Sequence, residues 1–303
     1  MLQVLDALLK STLEAAPALV FAALGAVISE RAGVVNVGIE GMMRAGAFAA
    51  AVAALVMPTP AGVVVGMLAG ATLALLHAWL CIRWRADQVV SGMAINLVML
   101  ALGTFVLEAR FSPNGTPSIA QLDRYLTGVP FIGGFTALTV LALAAPFALH
   151  GVIQRTRFGL RLRAAGEKPQ AVAAMGVSVS RLRYLAVVCS GLLAGLGGAT
   201  LSVAVLDRFE HHMPSGLGFM AVAAMVFGRW TPLGAAGAAL FFSFGSALRI
   251  GLTSSAPGVL EVVPQGFLMA LPYLLTLALL AAQKKGAGQA PAALGTPYDP
   301  ELR

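Results

Sequence analysis

The 303-residue sequence predicts an all-α polytopic integral membrane protein, a bundle of 8–10 transmembrane helices with one broken or re-entrant segment. Hydrophobic residues make up 58% of the chain and charged residues 11%, whereas soluble domains have ~45–50% and ~25%. Charge-free stretches also recur, and the one between Arg44 and Arg83 is 38 residues long. A bilayer crossing needs only ~20 apolar residues. These observations exclude a soluble globular domain.

Charge-free runs and prolines divide the chain into nine candidate membrane segments. Pro58 and Pro60 split the long run after Arg44, because proline cannot continue a helix interior. Residues 216–229 are too few for a comfortable crossing, so they are predicted to form the broken or re-entrant segment. The nine segments are residues 13–30, 38–57, 61–82, 88–109, 136–153, 184–206, 216–229, 232–250 and 264–282.

Basic residues set the predicted orientation and domain organisation. Seven of them, against the single acid Glu167, lie between Arg155 and Arg183. Short cytoplasmic loops are rich in Lys and Arg, so the loop 154–183 is predicted to be cytoplasmic. With nine crossings, 15 of the 20 basic residues then lie inside, and the net charge of +7 needs no nucleic-acid partner. Residues 1–282 form the predicted transmembrane domain, and residues 283–303, rich in Ala, Gly and Pro, a predicted disordered cytoplasmic tail.

Residues 29–44 place four charges, Asn36 and three glycines between two apolar stretches. Two interpretations stay open. The segment is either a short solvated turn, or a broken helix packed inside the protein where irregular backbone lines a cavity. Ionisable groups inside a membrane are costly and usually mark a pair or a pathway. Glu40 and Arg44 are four residues apart and could neutralise each other on one helix face.

Five polar residues within or beside the apolar segments are candidates for a solute pathway. Amide, hydroxyl and carboxylate groups can hydrogen-bond the hydroxyls and base edges of a polar solute. For each candidate, the alternative is a hydrogen bond between packed helices. The five residues are Asn36, Glu40, Ser91, Asn96 and Ser202.

The basic loop predicts a short helix that ends near Ala165, a turn, and a second short helix from Pro169 to Gly176, with proline in a first turn and glycine after an end. A solvated loop that binds anionic lipid is one interpretation. The small residues along the second helix favour another, a helix that docks into a groove on a partner. The residues predicted to shape this docking element are Gly159, Arg161, Arg163, Gly166, Glu167, Pro169, Ala173 and Gly176.

Five blocks of sequence, in order, resemble the permease subunits of bacterial ABC importers of the simple-sugar, nucleoside and branched-chain amino acid superfamily, and the nucleoside-type permeases most closely. Residues 30–43 match the Glu-Arg-Ala-Gly-Val-Val-Asn-Ile-Gly-x-Glu-Gly-Met-Met signature except for Val37. Residues 163–169 are similar to Arg-Ala-Val-Gly-Glu-Asn-Pro, with Lys168 in place of Asn. The remaining blocks are residues 190–199, 218–234 and 271–277.

The resemblance implies a permease subunit that forms the pathway for a nucleoside or simple-sugar-type solute. It implies a cytoplasmic ABC ATPase that meets the loop 154–183, a second and different permease subunit, and an extracytoplasmic substrate-binding protein. It also implies a multi-pass location in a bacterial inner membrane. ATP and Mg²⁺ are then bound by the ATPase, and this chain binds no cofactor.

The sequence argues against enzymatic activity in the chain itself. The phosphate-binding pattern Gly-x4-Gly-Lys-Ser/Thr is absent, so ATP hydrolysis must come from a separate protein. No pair of catalytic side chains and no metal-ligand spacing occurs. An ion-coupled secondary transporter is the main alternative, although apart from Glu40 and Glu108 few ionisable residues lie within the spans. An ABC permease for another solute, such as a sugar or an amino acid, also stays open.

Overall fold

The computed structural model describes residues 2–111, 115–120, 135–255 and 290–299. Regular structure in these residues is almost entirely helical. The predicted segment 264–282 lies outside the described residues, and so does the predicted tail apart from residues 290–299. The α-helices are α1 (Leu2–Arg31), α2 (Ile39–Ala54), α3 (Thr59–Ala78), α4 (Gln88–Arg110), α5 (Ala137–Arg155), α6 (Arg157–Glu167), α7 (Pro169–Ala174), α8 (Val179–Thr200), α9 (Leu217–Phe227) and α10 (Pro232–Ser255).

Five helices are long and apolar enough to cross a membrane. α1, α4 and α5 are continuous, whereas α3 and α8 each end in one wider helical turn, Trp79–Arg83 and Leu201–Val205. Shorter apolar helices are Leu217–Phe227 and Pro232–Leu248. The prediction of an all-α polytopic membrane protein is confirmed.

α1 and α8 form the centre of the described bundle. Their most apolar stretches are 78% buried, against 28–33% for those of α3, α4 and α5. Glycine allows close packing around α8: a Cβ on Gly66 of α3 would lie 2.6 Å from the carbonyl oxygen of Gly46, and one on Gly195 would lie 2.5 Å from that of Gly66. Small residues let membrane helices approach closely, so α2, α3 and α8 pack almost backbone to backbone.

The chain between α1 and α2 is irregular and buried. α1 ends at Arg31, and Gly33 follows with a φ of +89° that favours glycine. Val34 and Asn36 are 0% and 1% exposed. The backbone of residues 32–38 is therefore packed inside the protein, as in the broken-helix interpretation of this segment, and it is not a solvated turn.

The predicted short segment around residues 216–229 is a broken crossing. α9 has 11 residues and spans about 16 Å at ~1.5 Å per residue, roughly half of a ~30 Å hydrocarbon core. Residues 207–216 precede it without regular helix. Phe209 pairs with Thr116 at one end of this stretch, and Gly216, with a φ of +87°, lies beside Glu40 at the other. The broken segment of the predicted fold is thus confirmed.

Candidate functional site

A cavity of about 250 Å³ lies where the first turn of α2, the middle of α4 and the start of α9 meet. It opens on a face where Leu97 and Phe219 are 63% and 44% exposed. Asn96 is the ninth of the 23 residues of α4, so the cavity lies near the middle of a membrane helix. The lining residues are Glu40, Gly41, Arg44, Met93, Asn96, Leu97, Leu100, His212, Ser215 and Phe219.

Glu40 is the N-terminal cap of α9, although 176 residues separate it from Gly216. Its carboxylate accepts hydrogen bonds from the backbone N–H groups of Gly216 at 2.7 Å and Gly218 at 2.6 Å. The first N–H groups of a helix have no partner within the helix and carry its positive dipole end. A carboxylate at this position therefore satisfies two donors that have no partner within the helix, and it holds the start of α9 against α2.

Arg44, one turn further along α2, holds the chain that leads into α9. Its guanidinium donates to the carbonyl oxygen of His211 at 2.6 Å and to that of Leu100 at 3.4 Å. It also lies 6.0 Å from the centre of the Phe209 ring. Glu40 and Arg44, which the sequence suggested could neutralise each other, thus both bind the stretch that leads into α9.

Asn96 joins α4 to the irregular chain before α2. Its Oδ1 accepts from the Gly41 N–H at 2.8 Å, and its Nδ2 donates to the Val37 carbonyl oxygen at 2.9 Å. Gly92, one turn earlier, lies against Gly38. Asn96 thus lines the cavity and also fixes the wall between α2 and α4.

The other three predicted pathway residues lie away from the cavity lining. Asn36 donates to Ser190 Oγ at 3.0 Å, and Ser91 bonds His77 at 2.9 Å. Ser202 donates to the carbonyl oxygen of Ala199 within its own helical turn. The structure therefore brings Glu40 and Asn96 together and places the rest in hydrogen bonds between or within helices.

Arg44, His212, Ser215 and Phe219 also line the cavity, and sequence reasoning did not select them. The orientations of His212 and Ser215 depend on the fold of residues 207–216, which has no helical or strand periodicity to reveal which side chains face inward. The proximity of Arg44 to Glu40 in the sequence was the only available signal.

The loop 154–183 forms two short helices, α6 and α7, that meet at Lys168. Thr156 Oγ1 accepts from the Gly159 N–H at 3.1 Å and caps α6. Pro169 is buried in the first turn of α7. The predicted pair of short helices is present, with α6 ending at Glu167, two residues beyond the predicted end. We call the end of the bundle that carries these helices the loop end.

The predicted docking residues occupy different environments. Gly166 packs against the Arg31 carbonyl group, whereas Arg161 and Glu167 are exposed and Arg163 is half-buried. Ala173 is half-buried and packs against a small apolar cluster. Gly159 packs against the end of α5, and Gly176 adopts a φ of +77° in open space.

A second set of contacts at the loop end joins α1 to the turn before α10. The Trp230 indole N–H donates to Glu30 at 2.7 Å, and Arg31 donates to the Trp230 carbonyl oxygen at 2.6 Å. Glu30 therefore binds the side chain of Trp230, and Arg31 binds its backbone. At the loop end, the break after α1 is thus fixed to the turn between α9 and α10. At the cavity, Glu40 connects the same stretch of chain to the start of α9.

Residues 8–280 match the family model described as "Branched-chain amino acid transport system / permease component". The chain belongs to this permease family. It is a non-enzymatic, multi-pass membrane subunit of an ABC transporter. The chain is 38% identical to the guanosine ABC transporter permease protein NupQ of Bacillus subtilis, over 98% of this chain and 97% of that protein.

Two further relatives cover most of the permease. The nucleoside ABC transporter permease protein NupC of Lactococcus lactis is 38% identical over 87% of each chain. The putative glucose ABC transporter permease protein TsgC13 of Haloferax volcanii is 37% identical over 90% of each chain. The family as a whole works with ATPase and substrate-binding proteins.

Proposed function

We propose that this permease forms one half of the translocation pathway of an ATP-driven importer of nucleosides. The cavity at α2, α4 and α9 is the observation that carries the proposal. It combines polar groups near the middle of a membrane helix with an open face, on which Leu97 and Phe219 are exposed. Pathways through membrane proteins place irregular backbone and broken helices beside the solute. Both features are present here, because the irregular chain that ends at Gly216 and the short helix α9, which Glu40 caps, lie at the cavity.

The proposed complex contains three other kinds of subunit. A second, different permease completes the pathway, and an extracytoplasmic substrate-binding protein delivers the solute. A separate cytoplasmic ABC ATPase binds ATP and Mg²⁺, so this chain holds no cofactor. The loop end then faces the cytoplasm of a bacterium, and α6 and α7 meet the ATPase. The seven basic residues of the loop 154–183 support this orientation.

A nucleoside is the proposed solute because two relatives at 38% identity are named for guanosine and for nucleosides. The cavity walls suit such a solute. Asn96 and Ser215 offer polar groups for hydroxyls or base edges, and Phe219 offers an aromatic face. A sugar is the second candidate, since a relative at 37% identity is named for glucose.

The test is uptake by the complete importer reconstituted in proteoliposomes with ATP on the loop-end side. The proposal expects ATP-dependent uptake of radiolabelled guanosine, with little glucose uptake and no effect of proton or sodium ionophores. Preferential glucose uptake would transfer the assignment to sugars. Uptake that needs an ion gradient but no ATP would favour an ion-coupled secondary transporter and contradict the proposal.

A further inference from the structure

Residues 290–299, which we call the tail segment, lie against the loop end of the bundle. They belong to residues 283–303, for which the sequence predicts a disordered cytoplasmic tail. The backbone N–H of Ala293 donates to the Gly166 carbonyl oxygen at 2.8 Å, and that of Gly295 donates to the Gly33 carbonyl oxygen at 3.3 Å. Ala293 is 8% exposed. The tail segment therefore bridges the end of α6 and the irregular chain that follows α1.

The fit at Gly33 is too tight for a side chain unless the neighbouring groups shift. A Cβ on Gly33 would lie 3.2 Å from the Ala293 carbonyl oxygen and 2.9 Å from the Arg183 guanidinium. Gly33 also has a φ of +89°, which disfavours other residues. Glycine at position 33 therefore permits the close approach of three chain segments.

Arg183, at the start of α8, binds the tail segment from inside the protein. It is 2% exposed, and its guanidinium donates to the Ala32 carbonyl oxygen at 3.2 Å and to the Thr296 carbonyl oxygen at 3.0 Å. A buried guanidinium needs acceptors for its N–H groups, and leaving them unmatched is costly. The tail segment supplies one of these acceptors.

The far end of the tail segment is held by side chains. Asp299 forms a two-pronged ion pair with Arg85, at 2.7 and 2.8 Å, on the loop between α3 and α4. Bidentate geometry makes such a pair more specific than a single contact. Tyr298 packs against the apolar cluster that α6, α7 and α8 share, which includes Val172. One ten-residue segment thus contacts the start of α8, both loop helices and the loop before α4.

We propose that the tail segment is a positioning strap that couples α6 and α7 to the irregular chain before α2. The inference rests on the proposed function, in which these helices meet the ATPase. A displacement of α6 then moves Gly33 together with Gly166, because Ala293 binds Gly166 and Gly295 binds Gly33, in addition to the direct contact of Gly166 with Arg31. The chain from Gly33 leads within seven residues to Glu40, which holds the start of α9 at the cavity. The strap thereby links ATPase movement to the pathway.

The first experiment measures docking directly, in the complete complex. Ala293→Cys is made in a variant in which Cys81 and Cys189 are replaced, and its reaction with a water-soluble maleimide is timed. Ala292→Cys is the matched control, because Ala292 is exposed and adjacent. The proposal expects slow labelling at position 293, fast labelling at position 292, and faster labelling at position 293 when Asp299→Arg is added. Equal rates at the two positions would overturn it.

The second experiment measures coupling as guanosine transported per ATP hydrolysed in proteoliposomes. Asp299→Arg and Arg85→Asp are each expected to lower this ratio several-fold while the ATPase still co-purifies, and the double exchange restores it. Arg208→Asp is the control, since Arg208 is 45% exposed against 46% for Arg85 and also pairs with an acid. Failure of the wild-type complex to take up guanosine with ATP would count against the proposed function. If the variants keep the wild-type ratio of guanosine transported per ATP although position 293 has become reactive, the strap is contradicted while the proposed function still stands.

Discussion

Replacing Glu40 tests the structural link between α2 and the broken crossing. Glu40→Gln keeps the size of the side chain but leaves one acceptor oxygen for the two N–H donors of Gly216 and Gly218. Hydrogen bonds to charged groups contribute ~1.5–3 kcal/mol and neutral ones ~0.5–1.5 kcal/mol. The variant loses one charged bond and weakens the other. Because the site is half-buried, the expected loss in the free energy of unfolding is about 2 kcal/mol, and Glu40→Ala is expected to lose about 3 kcal/mol.

The assay is unfolding of the purified permease in mild detergent titrated with SDS and followed by circular dichroism. Glu108→Gln is the matched control, since Glu108 faces the same segment through His211 at 3.8 Å but is 55% exposed. Exposed ion pairs contribute only ~0–1 kcal/mol, so the control is expected to unfold close to wild type. Equal midpoints for Glu40→Gln and Glu108→Gln would refute the capping role of Glu40.

Three further predictions follow from contacts at the cavity, the core and the loop end. Asn96→Leu leaves the Gly41 N–H and the Val37 carbonyl oxygen without partners, so it is expected to lose about 2 kcal/mol of stability and most uptake. Ser202→Ala removes only a bond within one helical turn and is expected to keep its stability and its uptake. Equal uptake in the two variants would contradict this prediction. Gly66→Leu is expected to abolish monodisperse protein in size-exclusion chromatography and Gly237→Leu to preserve it, because the first position abuts Gly46 and the second faces open space. Ala171→Trp, on the exposed side of α7, is expected to reduce co-purification of the ATPase while the amount of permease in the membrane stays normal. Val56→Trp, at another exposed position, is the control. Undiminished co-purification with Ala171→Trp would refute docking through α7.

The helices and the broken crossing could be predicted because they depend on local properties. Charge-free runs, Pro58 and the shortage of residues around 216–229 act within a single stretch of chain. Glycines spaced four residues apart, such as Gly62 and Gly66, also mark a helix face that permits close packing in lipid. These features need no knowledge of what lies opposite.

The cavity could be predicted only in part, because its walls come from distant stretches. Glu40 and Asn96 were selected as polar residues in apolar surroundings, a property that Asn36 and Ser202 share. Which of them faces a cavity depends on their partners, and the partner of Glu40 lies 176 residues away. The contacts of the tail segment were missed for a related reason. They use mostly backbone groups, on which a composition rich in Ala, Gly and Pro gives no information.

Water access in the assembled importer shows whether the cavity at α2, α4 and α9 is part of the pathway. Leu97→Cys and Val98→Cys are adjacent on α4 and comparably exposed, at 63% and 59%, but only Leu97 lines the cavity. If the cavity is part of the pathway, a charged, water-soluble thiol reagent modifies Leu97→Cys, guanosine slows this reaction, and Val98→Cys stays unmodified in lipid. Equal reactivity at the two positions, with no effect of guanosine, would contradict it.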